Sequence, residues 1–113
     1  MNDPVQYPFA HERLDCYKLA VEVARWFARN RFPRGRAELR KQGQDAADSV
    51  VLNVAEGAGR RHAAAAGKNH HEIALGSAAE ACAVLDLVST LAGAAEQQHK
   101  LRRIGAMLAK MSR

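Results

Sequence analysis

The sequence predicts an all-α fold, an antiparallel up-down-up-down bundle of four helices. Three observations predict it. Apolar residues recur at spacings of three and four through four separate stretches, which is the helical period. Proline and glycine fall between those stretches, at Pro33 and Gly35, at Gly57 and Gly59, and at Gly93. No stretch alternates apolar and polar residues as a half-buried strand does. Short loops between long helices make sequence neighbours antiparallel. A chain of 113 residues suits one domain. It divides into an extended arm over 1–11 and a helical bundle over 12–113.

The arm follows from Pro4 and Pro8, which fix φ and remove backbone donors. The first helix is expected from about Glu12 to about Arg31. Leu14, Tyr17, Val21, Ala24 and Ala28 form its stripe, and Ala20, Val23 and Phe27 widen it. Pro33 and Gly35 end it. The second helix is expected from about Ala37 to about Ala58, with Leu39, Gly43, Ala46, Val50 and Val54 as its seam. The third begins in the alanines after His62 and runs to about Leu91. Its seam is Ile73, Gly76, Ala83, Leu87 and Leu91, with Val84 and Val88 beside it. The fourth holds Leu101, Ile104, Leu108 and Met111 at heptad-like spacing.

Only 5% of the residues are aromatic, so the core is built from Ala, Val and Leu at close helix spacing. Helix two is apolar beyond the roughly 100° stripe that one core needs, through Val50, Val51, Leu52, Val54 and Ala55. The excess predicts subunit contacts. The alternative is that Leu52 lies under the amino-terminal arm.

Cys16 and Cys82 have no metal or C-x-x-C spacing and read as buried free thiols in a reducing cytoplasm. The amino terminus has no apolar signal core. The apolar stretch from Ala78 to Ala95 is broken by Glu80 and Asp86, which argues against a membrane span. His70 and His71 are adjacent and diverge by about 100° on a helix, so they do not converge on one ion. No H-x-x-x-H pattern accompanies them, and no nucleophile and base pair stands out. Neither a metal, a cofactor nor an enzymatic activity is expected.

The net charge of +5 favours polyanions, and its distribution is uneven. Residues 96–113 carry five bases and one acid, whereas residues 63–95 carry one base and three acids. In the expected topology the end of helix one and the starts of helices two and four share a pole. That pole is expected to gather Arg29, Arg31, Arg34, Arg36, Arg40, Lys41, Lys100, Arg102 and Arg103. Phosphate contacts by such residues give salt-sensitive, weakly sequence-selective binding. Trp26 and Phe32 lie nearby and are expected to pack in the core or loop. Arg60, Arg61, Lys110 and Arg113 make a smaller patch at the opposite pole.

Ser49, Asn53, Glu56 and Arg60 share one face of helix two, and Ser77 with Glu80 is a matching polar pair on helix three. A polar seam that fixes helix register is the favoured reading, with Gly76 allowing close backbone approach. A binding site for an anion or base edge is the other. Glu56 and Arg60 are spaced for an i, i+4 pair, and Glu80 could instead reach Arg60 or Arg61.

Asn53-Val54-Ala55-Glu56-Gly57, followed by Gly59-Arg60, resembles the N-I-A-E-G-x-G-R core of a known family. These are the four-helix bundle proteins named for intervening sequences in bacterial 23S ribosomal RNA genes, also labelled S23-like ribosomal proteins. Leu14, Tyr17, Ala20, Phe32-Pro33, Glu38-Leu39, Gln42, Ser49, Ile73-Ala74-Leu75-Gly76-Ser77 and Glu80 match in the same order. The resemblance runs from about Leu14 to Leu91. It implies a bundle that assembles into a ring, typically a homopentamer. It also implies kinship with the accessory protein of diversity-generating retroelements, which binds nucleic acid and a reverse transcriptase. Gly43, Gln44 and Asp45 stand where the family usually carries basic residues after the helix-two glutamine, and Asp48 adds a further acid. His70 replaces a commonly apolar or aromatic residue.

The expected function is therefore a non-enzymatic, homo-oligomeric bundle that binds structured nucleic acid, RNA before DNA, through its basic rim. A homo-oligomeric scaffold for a protein partner is the alternative.

Overall fold

A computed structural model describes residues 9–60 and 63–111. Residues 1–8 of the expected 1–11 arm lie outside the described residues, as do Arg61, His62 and Arg113. Residues Ala10–Arg13 form a single 3-10 turn rather than extended chain. Four helices follow: α1 (Asp15–Arg29), α2 (Ala37–Gly59), α3 (Ala64–Asp86) and α4 (Ala94–Met111). Among the described residues there is no strand.

Side-chain contacts give the order of the bundle. Gln44 of α2 reaches the Ala24 carbonyl of α1, and Arg40, earlier in α2, reaches Phe27, later in α1. Ser49 meets Ser77, while Asn53, one turn on, meets His70. Lys100 of α4 pairs with Glu22 of α1, and α4 begins beside Trp26. Each pair is antiparallel. Each helix packs along its sequence neighbours, α4 returns to α1, and the backbones of the diagonal pairs stay farther apart among the described residues. This is the up-down-up-down square that the loop lengths predict.

The core is lined by Cys16, Ala20, Val23 and Phe27 of α1, Ala46, Ala47, Val50 and Val54 of α2, Ala74, Ala78, Ala81 and Leu85 of α3, and Leu101, Ile104 and Leu108 of α4. Small side chains let the helices approach closely, and glycine carries this further at Gly43. A Cβ there would stand 2.9 Å from Phe27 Cζ and 3.0 Å from Val84 Cγ1. Loop geometry needs glycine at Gly35 (φ +86°) and Gly93 (φ +89°), which occupy the left-handed region. Gly93 also lies under Trp26, whose Nε1 would be 2.7 Å from an added Cβ.

Several expectations need correction. Helix one begins at Asp15 and ends at Arg29, because the chain turns extended at Leu14 and again at Asn30. Helix three ends at Asp86, five residues early, and residues 87–93 close the loop through turns such as Leu91 N–H to Val88 O at 2.9 Å. The expected seam of α3 is on the outside except at Leu91, which is half-buried against the core. Ile73 is 45% exposed and Leu87 59%, and Gly76 and Ala83 are exposed with them. The residues that enter the core from α3 are Ala74, Ala78, Ala81, Val84 and Leu85, with Val88 just after it, so the expected Val84 and Val88 are buried while the seam beside them is not. In α1 the same rotation leaves Ala28 exposed and Val21 and Ala24 half-buried, while Cys16 joins the core. Met111 is exposed at the end of the α4 seam, whereas its three other members are buried. Cys82 is half-buried rather than buried, and burial pushes both thiols above their ordinary pKa, as expected of unreactive cysteines.

Candidate nucleic-acid interface

The pole between α1 and α2 is organised by Arg40. The last carbonyls of a helix lack internal partners, and α1 has none of the usual glycine caps. Instead Arg40 reaches across from α2 and donates to the carbonyls of Phe27, Ala28 (3.2 Å) and Asn30 (2.9 Å). The first of these is 2.6 Å. Asn30 adds a bond from Nδ2 to the Trp26 carbonyl at 2.8 Å. One guanidinium therefore fixes where α1 stops and how the loop leaves it. Phe32 anchors the loop from inside, with its ring 5.9 Å from Phe27 and 6.4 Å from Trp26. Both aromatics near the pole thus serve packing.

The loop so held surrounds an open cleft of about 500 Å³. Arg29, Arg31, Arg34 and Arg40 line it, and no carboxylate does. Arg29, Arg31, Arg34 and Arg36 are exposed, and none has an ion pair among the described residues. Four uncommitted guanidinium groups thus stand on about eight residues of chain, with bidentate donor geometry suited to phosphate.

The other rim candidates are placed differently. Arg40 spends its donors on α1. Lys41 is tied to Asp45 at 2.9 Å, which raises its pKa through that hydrogen bond. Lys100 is held by Glu22 at 3.1 Å and Glu96 at 3.7 Å. At a rise of about 1.5 Å per residue, Lys100, Arg102 and Arg103 lie roughly 9–14 Å down α4 from its pole end. Arg102 lines a separate groove between α3 and α4 with Leu75, Cys82 and Asp86. The structure brings together Arg29, Arg31, Arg34 and Arg36 and leaves the α4 bases on the bundle's flank.

The polar seam is partly assembled. Ser49 and Ser77 hydroxyls meet at 2.8 Å between α2 and α3, and Asn53 Nδ2 donates to the Ser49 carbonyl at 2.9 Å. Asn53 Oδ1 meets His70 Nδ1 at 2.9 Å, so His70 finds its partner in the motif asparagine. Glu56 and Arg60 form their i, i+4 pair at 3.3 Å on the exposed edge of this seam. Glu80 stands apart: it is exposed on the outer face of α3 and reaches neither Ser77 nor Arg60. The three seam groups satisfy one another, which is the arrangement of a register-fixing network.

The close approach expected at Gly76 occurs elsewhere. A Cβ at Gly76 would meet nothing within 4 Å, whereas one at Gly57 would meet His71 Nε2 at 2.6 Å and the Gly67 carbonyl at 3.2 Å. His71 lies over Gly57 with both ring nitrogens buried and without a hydrogen-bond partner among the described residues. Burial pushes its pKa below the ordinary 6.5, and the neighbouring His70 adds to this. The fold thus holds His71 neutral, and the unfolded chain takes up the proton first as pH falls. Its contribution to stability is full above 6.5 and is lost as pH falls through the lowered folded value. Urea melts across that window are expected to show this loss in the native chain and a smaller one in His71→Leu. Equal slopes would remove His71 as the source.

Among the described residues no group of histidine, cysteine or carboxylate side chains could hold a metal ion, and no helix is long and apolar enough to cross a membrane. A family model described as 23S rRNA-intervening sequence protein matches residues 12–112. No curated protein and no solved structure matches the chain.

Proposed function

Because the chain belongs to the family of 23S rRNA-intervening sequence proteins, we propose that it is a non-enzymatic, homo-oligomeric cytoplasmic bundle that binds structured nucleic acid. RNA is the favoured ligand, and the α1–α2 pole is the surface. One observation carries the reading: Arg29, Arg31 and Arg34 line an acid-free cleft without ion pairs among the described residues, with Arg36 exposed in the same loop, while Lys41 and Lys100 are neutralised by neighbouring carboxylates. A solvated helix end kept only for solubility needs no such sorting of free and paired cations. In a ring, such as the family resemblance implies, each copy repeats the cluster on one rim, and the fields add. Arginine without interleaved aromatics reads backbone rather than base, so the binding is of shape and charge.

The test is a salt titration of RNA and DNA binding by fluorescence anisotropy, on nuclease-treated protein of known mass. Four phosphate contacts per copy predict a log–log salt slope of roughly −3 per bound copy. Binding that persists near physiological salt and falls with that steepness supports the pole. An absence of binding even at low salt would retire the nucleic-acid reading and leave a scaffold for a protein partner, which the exposed Leu52, Ile73 and Leu87 favour.

A further inference from the structure

Phe9 is a large aromatic ring held in place outside the core. It stands 64% exposed, yet the backbone beneath it is fixed. Its N–H donates to Glu12 Oε1 at 3.0 Å, and the Glu12 N–H donates back to the Phe9 carbonyl at 3.2 Å. The ring lies 16° from parallel to His11, with 5.9 Å between centroids, and His11 is held edge-on by Tyr17 at 4.5 Å. A file of three rings thus leads from the half-buried Tyr17 out to Phe9. Exposed rings on a fixed backbone are the platforms on which nucleobases stack. At the α1–α2 pole Trp26 and Phe32 serve packing instead.

The Phe9 ring borders an open pocket of about 550 Å³, within the roughly 300–1,000 Å³ of small-ligand sites. Phe9 and His11 bound one side, and Leu52 and Ala55 of α2 supply an apolar floor. Leu52 is itself 64% exposed, so a planar guest covers two apolar side chains that the fold leaves open. The polar edge of the pocket is Glu56 with Arg60. They join through Arg60 Nε and Glu56 Oε2 at 3.3 Å. Arg60 Nη1 and Nη2 and Glu56 Oε1 have no partner among the described residues. The single guanidinium is matched by the single carboxylate, so the lining has no surplus cation for a phosphate.

This edge selects among bases. A carboxylate only accepts hydrogen bonds and a guanidinium only donates them. The Watson–Crick edge of guanine presents N2–H, N1–H and O6 in that order, two donors for Glu56 and then an acceptor for Arg60. Adenine would set its N1 acceptor against the carboxylate, and cytosine its N3. Uracil has one donor between two acceptors. Arginine to guanine O6 is also the commonest specific contact to that base.

We propose that this pocket binds an unpaired guanine base of RNA, stacked on Phe9 over Leu52 and Ala55, with Glu56 accepting from N1 and N2 and Arg60 donating to O6. The proposal rests on the RNA reading above for the strand that delivers the base. Arg36, at the other end of α2, lies roughly 30 Å from Glu56 at 1.5 Å per residue. The two subsites therefore divide the work: the pole grips backbone, and the pocket reads a base in a loop or bulge.

The test is fluorescence anisotropy on the full chain with two labelled RNA strands, each long enough to span α2. One is uridine-rich and interrupted by single guanosines; the other carries adenosine in their place. The native chain is expected to bind the guanosine strand about tenfold more tightly, the discrimination of one good base-edge pairing. Phe9→Ala is expected to lose about tenfold on that strand, and Phe9→Tyr to restore it, because stacking needs only the ring. Glu56→Gln is expected to abolish the preference for guanosine. Phe9 and Glu56 are exposed, so each variant keeps the native circular dichroism, and the salt slope set by the pole is unchanged. Equal affinity of the native chain for the two strands, or a preference that survives either Phe9→Ala or Glu56→Gln, overturns the pocket while the RNA reading stands. A variant with Arg31, Arg34 and Arg36 all changed to glutamate that keeps native affinity and the guanosine preference supports the pocket and overturns the pole. Binding of neither strand at low salt overturns both.

Discussion

Replacing Arg31, Arg34 and Arg36 together with glutamate is expected to reduce RNA affinity on the order of 100-fold near physiological salt, and to leave the melting temperature within a few degrees of the native value. The three side chains are exposed and pair with nothing among the described residues, so no internal contact is lost. Each lost phosphate contact removes about one unit from the salt slope, and the three new carboxylates add repulsion. The slope, measured with the affinity, is the diagnostic readout. A variant that binds as tightly as the native chain with the native slope would move the interface away from this pole. Arg40 is left in place because its guanidinium holds the end of α1. Its removal would confuse a lost contact with a displaced loop. Arg103 is the internal comparison: it is equally basic but sits down α4, and Arg103→Glu is expected to have a smaller effect.

That contrast shows what was legible in the sequence. The loop arginines could be placed from chain order alone, because a segment between two helices must lie at a pole. The α4 bases could not, since counting residues from Gly93 hides how far a helix travels per turn. Pairing was also hidden. Lys100 meets Glu22 across the bundle, and Arg40 bonds carbonyls ten and more residues earlier. Neither partnership follows a helical spacing that a single sequence displays.

The seams tell the same story in the fold. Helix two was legible because Gly43, Ala46, Val50 and Val54 of its expected seam are buried, with Leu39 half-buried at its start and Ala47 and Gly57 buried beside them. Helices α1 and α3 carry two apolar stripes each, and periodicity does not rank them. In α3 the alanines Ala74, Ala78 and Ala81 fill the core, while the larger Ile73 and Leu87 remain outside. A reading that weights side-chain size selects the outer stripe. Alanine wins inside because α2 and α3 pack closely, as the contacts across Gly43 and Gly57 show. Side-chain size alone therefore selects Ile73 and Leu87, which remain exposed among the described residues.

The close packing also sets the second large effect. Gly43→Ala is expected to destabilise the bundle by about 2 kcal/mol, lowering Tm by roughly 5–10 °C. Helix preference alone predicts the opposite sign, since alanine gains up to about 1 kcal/mol over glycine inside a helix. The added methyl would stand 2.9 Å from Phe27 Cζ and 3.0 Å from Val84 Cγ1. Phe27 cannot yield cheaply, because it is fully buried and its ring packs against both Trp26 and Phe32. The overlap therefore forces α2 away from both α1 and α3, and the loss of packing exceeds the gain in propensity. Gly59→Ala separates the two contributions, for a Cβ there meets nothing within 4 Å. Its Tm is expected to match or slightly exceed the native value. If Gly43→Ala melts at or above the native temperature, the helices have room that the close α1–α2–α3 contact denies, and the small-residue account of this core fails. Gly43 stands where the family resemblance implies a basic residue, so the same pair of melts tests why a glycine is there. A large cost for alanine means that any longer basic side chain at this position would demand a different spacing of the helices.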